Sequence, residues 1–248
     1  MKLRNKIAIV TGGASGFGAG IVRKFAAEGA TVVIADLNGK LAAELSGEVG
    51  NNTISHEVDV SEGASVKELV ENTVSKFGAV DILVNNAGIG HVPQPLDTLP
   101  ESDFDRIFNV NAKSVYHMAH YVVPIMKKAG SGAILNVAST GGVSPRPNLT
   151  WYNASKGWMI TATKGMAVEL APFGIRVNAI NPVAGETPLL KTFMGEDTPE
   201  IREKFLSTIP IGRFSTPEDM GNTACFLCSE EASMVTGVAM EVDGGRCI

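Results

Sequence analysis

Cysteine is scarce in this chain: Cys225, Cys228 and Cys247 are the only three in 248 residues. So few, and an odd number, exclude a disulfide framework. Cys225 and Cys228 form a C-x-x-C, but in a helix-like stretch (223–229) with no second pair and no preceding βαβ unit. Two core or interface cysteines are the simpler reading than a redox or metal pair. A basic excess is also missing. The formal net charge is −5 and the pI about 5.4, which argues against nucleic acid as a partner. No run approaches the ~20 apolar residues of a membrane span. The apolar run at 7–10, behind the polar and basic residues 1–6, is too short for a signal-peptide core. These absences predict a cytoplasmic protein with no membrane partner. No spacing of His, Asp, Glu and Cys suggests a catalytic metal.

What is present is apolar material and glycine. Hydrophobic residues make up 44%, enough for a real core, and the 27 glycines need a reason. Short β-rich runs occur at 6–10, 31–35, 53–58, 80–84, 133–138, 175–180 and 238–242. Between most of them lie amphipathic helical stretches, at 17–28, 40–49, 61–77, 101–128, 153–171 and 217–229. In the third stretch Val66, Leu69, Val70, Thr73, Val74 and Phe77 recur at three- and four-residue spacing, as one buried helix face requires. The runs Ile7-Ala-Ile-Val10 and Thr31-Val-Val-Ile34 are continuously apolar, as in strands covered on both faces. The pattern predicts an α/β fold: a single domain over residues 1–248, built as a doubly wound, Rossmann-like parallel sheet of about seven strands with helices on both faces. Residues 183–213 break the rhythm. They are rich in Gly, Pro, Thr and charge, and are read as a long irregular segment acting as a substrate lid.

The first strand runs into Thr11-Gly-Gly-Ala-Ser-Gly-Phe-Gly18, and a helical pattern begins at once. Gly12, Gly16 and Gly18 suit a tight strand-to-helix turn, where a pyrophosphate can approach backbone that no Cβ blocks. The helix N-terminus offers that anion free N–H groups. Ser15 and Phe17 belong to the same loop. A glycine cluster alone is weak; its place after the first strand makes it strong. The second strand ends at Ala35-Asp36-Leu37. An acid about 20 residues past the glycines suits ribose hydroxyls. Asp36 would repel a 2′-phosphate, and neither Leu37 nor Ser15 offers a compensating cation. NAD is therefore favoured over NADP. For an isolated Asp, a turn or helix N-cap role is the competing reading.

Tyr152 and Lys156 are four apart in a helical stretch and share a face. Free tyrosine titrates near ~10, too high for an efficient base at neutral pH, and a nearby lysine cation favours the phenolate. Ser139 closes the fifth strand, where its hydroxyl can meet a substrate oxygen. Taken singly, each has an ordinary alternative: a surface pair, a turn residue.

The motifs Thr11-Gly-x-x-x-Gly-x-Gly18, Asn85-Asn-Ala-Gly88, Asn111, Ser139 and Tyr152-x-x-x-Lys156 together resemble the short-chain dehydrogenase/reductase family, in its single-domain branch. The resemblance spans the chain to Val242-Asp-Gly-Gly245. It implies Asn111, Ser139, Tyr152 and Lys156 as the catalytic set, with Asn111 supporting a water between the lysine and solvent. It also implies cofactor contacts from Asn86, Ala87 and Gly88, with Asp59 and Val60 beside the adenine. Asn85 and Thr11 are open to a purely bracing role. Past the sixth strand the family usually has Gly after Pro182, whereas Val183 stands here. A β-like Val183 backbone is expected to make that contact, and Thr187 to bond the cofactor. The resemblance further implies a homotetramer; the sequence itself shows only helices apolar beyond one face, as at 116–126.

Substrate contacts are expected from Gly141, Arg146, Trp151 and His91. Arg146, framed by Pro145 and Pro147, would suit a carboxylate or phosphate, though a solvated or intersubunit role is as good. His117 and His120 are read as interface or core residues. The leading expectation is an NAD(H)-dependent oxidoreductase acting on a small secondary alcohol or ketone of the sugar, polyol or hydroxy-acid type. A 3-oxoacyl-[acyl-carrier-protein] reductase is the rival enzyme. A non-catalytic dinucleotide-binding regulator or scaffold is the rival of another class.

Overall fold

The computed structural model describes residues 1–50 and 52–248. Seven strands form one parallel sheet: β1 (Ile7–Thr11), β2 (Thr31–Asp36), β3 (Thr53–Glu57), β4 (Ile82–Asn85), β5 (Gly132–Val137), β6 (Ile175–Pro182) and β7 (Ala239–Val242), in the order β3-β2-β1-β4-β5-β6-β7. The order reverses between β1 and β4, which opens a crevice at their carboxyl ends.

The helices are α1 (Gly16–Ala27), α2 (Gly39–Val49), α3 (Gly63–Phe77), α4 (Glu101–Phe108), α5 (Ser114–Ala129), α6 (Thr150–Leu170), α7 (Pro188–Met194), α8 (Pro199–Leu206) and α9 (Pro217–Cys228). The continuous apolar strands are explained by two separate cores, one on each sheet face. Ala8, Val10, Val32 and Ile34 point to one with Ile21 and Phe25 of α1. Ile9, Val33 and Leu83 point to the other with Leu69 of α3 and Met118 of α5. Successive strand residues alternate between these cores, so neither set can be polar.

Cys225 and Cys228 are buried in α9 against α1, and burial pushes the Cys228 thiol up to about 12. Both pack as small apolar side chains, as the simpler reading held. The α1/α9 crossing depends on glycine. A Cβ at Gly20 would lie 2.0 Å from the Pro217 carbonyl oxygen, and one at Gly221 2.7 Å from the Gly20 oxygen. Gly20→Ala is expected to force the helices apart and destabilise the fold by about 1–3 kcal/mol. A thermal melt checks this: an unchanged Tm would mean that the crossing adjusts freely.

Two expectations need correction. The predicted helix over 101–128 is interrupted: residues Asn109–Lys113 form a π-helical turn between α4 and α5. The segment 183–213 is not wholly irregular, since α7 and α8 lie within it. Each begins with a proline after a threonine, Thr187-Pro188 and Thr198-Pro199. Proline lacks the N–H that a helix start leaves unpaired, so this pair is a start signal. Val183, Leu190, Met194, Ile209 and Phe214 give the segment its own small buried cluster.

Candidate active site

A cavity of about 620 Å³ opens at the carboxyl ends of the strands, at the point where the strand order reverses. Its lining runs from Asp36, Leu37, Asp59 and Val60, past Gly12, Ser15, Gly16 and Phe17, to Asn86, Ala87 and Gly88. It continues to Ser139, Gly141, Tyr152 and Lys156, with Pro182, Val183 and Thr187 on the lid side.

The glycine loop is shaped for an anion. Gly12 and Gly16 have φ of 59° and 51°, a left-handed conformation that costs a side-chain residue about 1–2 kcal/mol. Ser15 is the N-cap of α1 but its side chain makes no capping bond, and the first turn of α1 carries no acid. The partial positive charge of the helix start therefore faces the cavity with no acid in the helix's own first turn. Gly18 lies behind the loop: a Cβ there would meet the Gly12 oxygen at 2.1 Å. It is a close-packing residue and does not line the cavity. Thr11 Oγ1 accepts from the Asn86 and Ala87 amides and donates to the Val84 carbonyl, so its side chain braces the loop. Asn86 Nδ2 donates to the Thr11 and Gly12 carbonyls. Asn85 Nδ2 donates to Asn136 Oδ1, which ties β4 to β5.

Asp36 ends β2. Its Oδ2 accepts from the Ala14 amide at 3.0 Å and its Oδ1 from the Asn38 amide at 2.9 Å. Asn38, not Asp36, is the N-cap of α2. The carboxylate is thus fixed beside the glycine loop with lone pairs remaining for ribose hydroxyls. Asp59 Oδ1 accepts from the amide and hydroxyl of Ser61.

At the other end, Tyr152 and Lys156 are both buried on α6. Lys156 Nζ donates to the Val137 carbonyl at 2.9 Å and lies 6.0 Å from the Tyr152 ring centroid. Burial depresses the ammonium to about 8. Burial also pushes the Tyr152 phenol up to about 12, while the Ser139 hydroxyl and the Arg146 charge pull it down. Lys156 is turned toward the strand end, and burial is the largest influence on both groups. Ser139 Oγ accepts from the Gly141 amide at 3.0 Å, which fixes the hydroxyl at the mouth of β5.

Asn111 sits in the π-helical turn, fully buried. Its Oδ1 accepts from the Ile89 amide, and its Nδ2 donates to the Ile89 carbonyl and to Ser155 Oγ. A Cβ at Gly88 would lie 3.2 Å from Lys156 Nζ and 3.4 Å from Asn111 Oδ1, so the Gly88 backbone passes close to both groups. The extra residue of the π turn rotates Asn111 inward, a common device at functional sites.

Two expected substrate contacts lie elsewhere. Trp151 Nε1 donates to the Leu96 carbonyl, and its ring meets Phe104 edge-on at 5.5 Å. His91 is buried, with Nδ1 paired to the Val92 carbonyl. Neither lines the cavity; both fasten the segment that follows Gly88. Arg146 does line it. Sequence reasoning missed Phe193 of α7, whose ring lies 4.8 Å from that of Tyr152. A lone Phe in a lid carries no signal that it will land on one particular ring.

The lining fits a nicotinamide dinucleotide: an acid for the ribose, backbone open to a pyrophosphate, and a phenol and ammonium at the far end. A family model described as enoyl-(acyl carrier protein) reductase matches residues 12–246. The chain is 48% identical to 4-formylbenzenesulfonate dehydrogenase of Comamonas testosteroni, over 100% of both chains. It is 42% identical to the 3-oxoacyl-[acyl-carrier-protein] reductase of Thermotoga maritima, again over 100% of both. A crystal structure of a 3-ketoacyl-(acyl-carrier-protein) reductase from Brucella melitensis, complexed with NADH, is 51% identical with a TM-score of 0.95, covering 99% of this chain and 100% of that one. Parallel sheet, glycine loop, buried tyrosine–lysine pair and full-length likeness lead to one conclusion: the chain is an oxidoreductase of the short-chain dehydrogenase/reductase family.

Proposed function

We propose that this protein is an NAD(H)-dependent alcohol dehydrogenase or carbonyl reductase for small secondary alcohols and ketones, with Tyr152 as its acid/base. The observation that carries the reading is the convergence of Ser139, Tyr152 and Lys156 at one end of a cavity whose other end presents Asp36. Gly12, Ser15, Gly16 and Phe17 would cradle the pyrophosphate, Asp36 and Leu37 the adenosine ribose, and Asp59 and Val60 the adenine. Asn86, Ala87, Gly88, Pro182, Val183 and Thr187 would flank the nicotinamide. When bound, the dinucleotide supplies or accepts the hydride. Val183 adopts no left-handed backbone, so the missing family glycine is replaced without strain.

Ser139 Oγ holds the substrate oxygen in reach of the Tyr152 hydroxyl. In reduction Tyr152 gives its proton to that oxygen, and in oxidation it takes the proton back. A phenol resting near 12 is the acid form that carbonyl reduction consumes. Oxidation needs the phenolate, which nearby cations make more accessible. Lys156 is one such cation, and Asn111 holds the backbone beside it. Lys156→Ala is expected to slow turnover and move the pH optimum of oxidation upward, because the phenolate then has one cation fewer. A pH–rate profile checks this. An unmoved optimum would leave Lys156 as a strut for the Val137 carbonyl only.

The name of the Thermotoga relative favours a second reading, reduction of 3-oxoacyl thioesters on a carrier protein. Comparing acetoacetyl-carrier thioester with small ketones at equal enzyme concentration separates the two. The reading extends to a homotetramer. Tyr116, Val168 and Phe173, exposed on α5, α6 and the turn after α6, supply apolar surface for it.

A further inference from the structure

We propose that Arg146 forms a cationic subsite that holds an oxyanion on the substrate, so that the enzyme acts on an alcohol or ketone bearing a carboxylate or sulfonate on an apolar body. The inference rests on the oxidoreductase reading and narrows its substrate class.

Arg146 lines the same cavity as Tyr152. Its position is built rather than accidental. Pro145 and Pro147 flank it, and Asn148 beyond them adopts a left-handed φ of 64° that turns the chain. Asn153 Nδ2, one residue past Tyr152, donates to the Arg146 carbonyl at 2.8 Å. The guanidinium lies 4.7 Å from the Phe205 ring of α8, which fixes its plane and leaves its edge free. It makes no ion pair or side-chain hydrogen bond among the described residues.

Arg246 arrives from the chain end. Asp243 accepts from the Gly245 amide with Oδ1 and the Cys247 amide with Oδ2, so both oxygens are occupied by the turn that presents the arginine. A Cβ at Gly244 would lie 2.9 Å from Ile209 and one at Gly245 3.2 Å from Pro210, and the Gly244 carbonyl accepts from the Ile211 amide, so the turn packs closely against the lid's base. Arg246 Nε is buried with no hydrogen-bond partner among the described residues. Its charge and that of Arg146 repel each other: burial first, then Arg246, lowers the Arg146 pKa.

A half-buried guanidinium without a carboxylate, its charge opposed by that of a second arginine, is costly, because buried charge needs a partner. The acids that line the cavity, Asp36 and Asp59, stand at its opposite end and already accept backbone amides. An oxyanion on the ligand would supply the missing countercharge, and guanidinium geometry suits a carboxylate or sulfonate. Between this subsite and Tyr152 the wall is apolar, with Leu149, Leu190, Phe193 and Phe205. That wall fits a ring or short hydrocarbon, with the reacting oxygen at one end and the anion at the other.

The test has two arms. In the first, benzoate, benzenesulfonate and neutral benzyl alcohol are titrated calorimetrically into the NADH-loaded protein. The anions are expected to bind at least about tenfold more tightly than the alcohol. Arg146→Gln should remove most of that advantage and Arg246→Gln a smaller part, and Arg146→Lys should restore part of what Arg146→Gln loses. Equal affinity for anion and alcohol, or anion affinity unchanged by Arg146→Gln, overturns the subsite. In the second arm, NADH-dependent reduction of 4-acetylbenzoate is compared with that of 4-methylacetophenone. Preference for the anionic ketone supports the subsite. Equal kcat/KM for the two overturns it and leaves the oxidoreductase reading standing. Anion binding without turnover of either ketone retires the proposed small-ketone activity and leaves the subsite.

Discussion

Replacing Tyr152 with phenylalanine is expected to lower kcat by ~10²–10⁴-fold, which is what a positioned acid/base contributes. In free energy that is about 3–5 kcal/mol of transition-state stabilisation. NADH binding should be nearly unchanged, because the glycine loop and Asp36 lie at the other end of the cavity. The split follows from what the hydroxyl does. The ring packs against Phe193, and phenylalanine keeps that contact. Only the hydroxyl at the ring's end is lost. Stopped-flow turnover with parallel NADH fluorescence titration reads both quantities. Retained turnover would move the acid/base function to another group. Loss of NADH binding instead would mean that the phenol holds the dinucleotide rather than moving a proton.

Exchanging Asp36 for alanine together with Leu37 for arginine is expected to shift coenzyme preference toward NADP by roughly 100-fold. Removing the like charge and adding a phosphate partner contribute on the order of tenfold each. Asp36 also braces the loop through the Ala14 amide, so part of the lost NAD affinity would be structural. Asp36→Asn alone separates the two effects: it keeps an acceptor oxygen and removes only the charge. The ratio of kcat/KM for NADP over NAD should rise with Asp36→Asn and rise further in the double variant. A ratio unmoved by both would mean that ribose selection lies elsewhere in the cavity.

Much of the site was legible because its pieces are local. Gly12, Gly16 and Asp36 take their roles from where two strands end, and strand ends can be read from apolar runs. Tyr152 and Lys156 share a face by helical periodicity alone. Helix starts in the lid were also written in the chain, as Thr-Pro pairs at 187–188 and 198–199. They passed unread because glycine and charge around them suggested irregular backbone. The π turn at Asn111 carried no comparable mark: one extra residue per turn leaves the apolar spacing on either side almost unaltered.

The sequence by itself determined the alternation of strands and helices, the parallel sheet, the glycine loop after the first strand and the acid that ends the second. These depend on neighbours in the chain and on periodicities of two and 3.6 residues. Tertiary structure alone decided which way Lys156 turns and how deeply Tyr152 is buried. It alone placed Phe193 on that tyrosine, and it brought Arg246 near Arg146 from a hundred residues away. The physical reason is that desolvation and charge coupling depend on every atom packed around a group. Most of those atoms are distant in sequence.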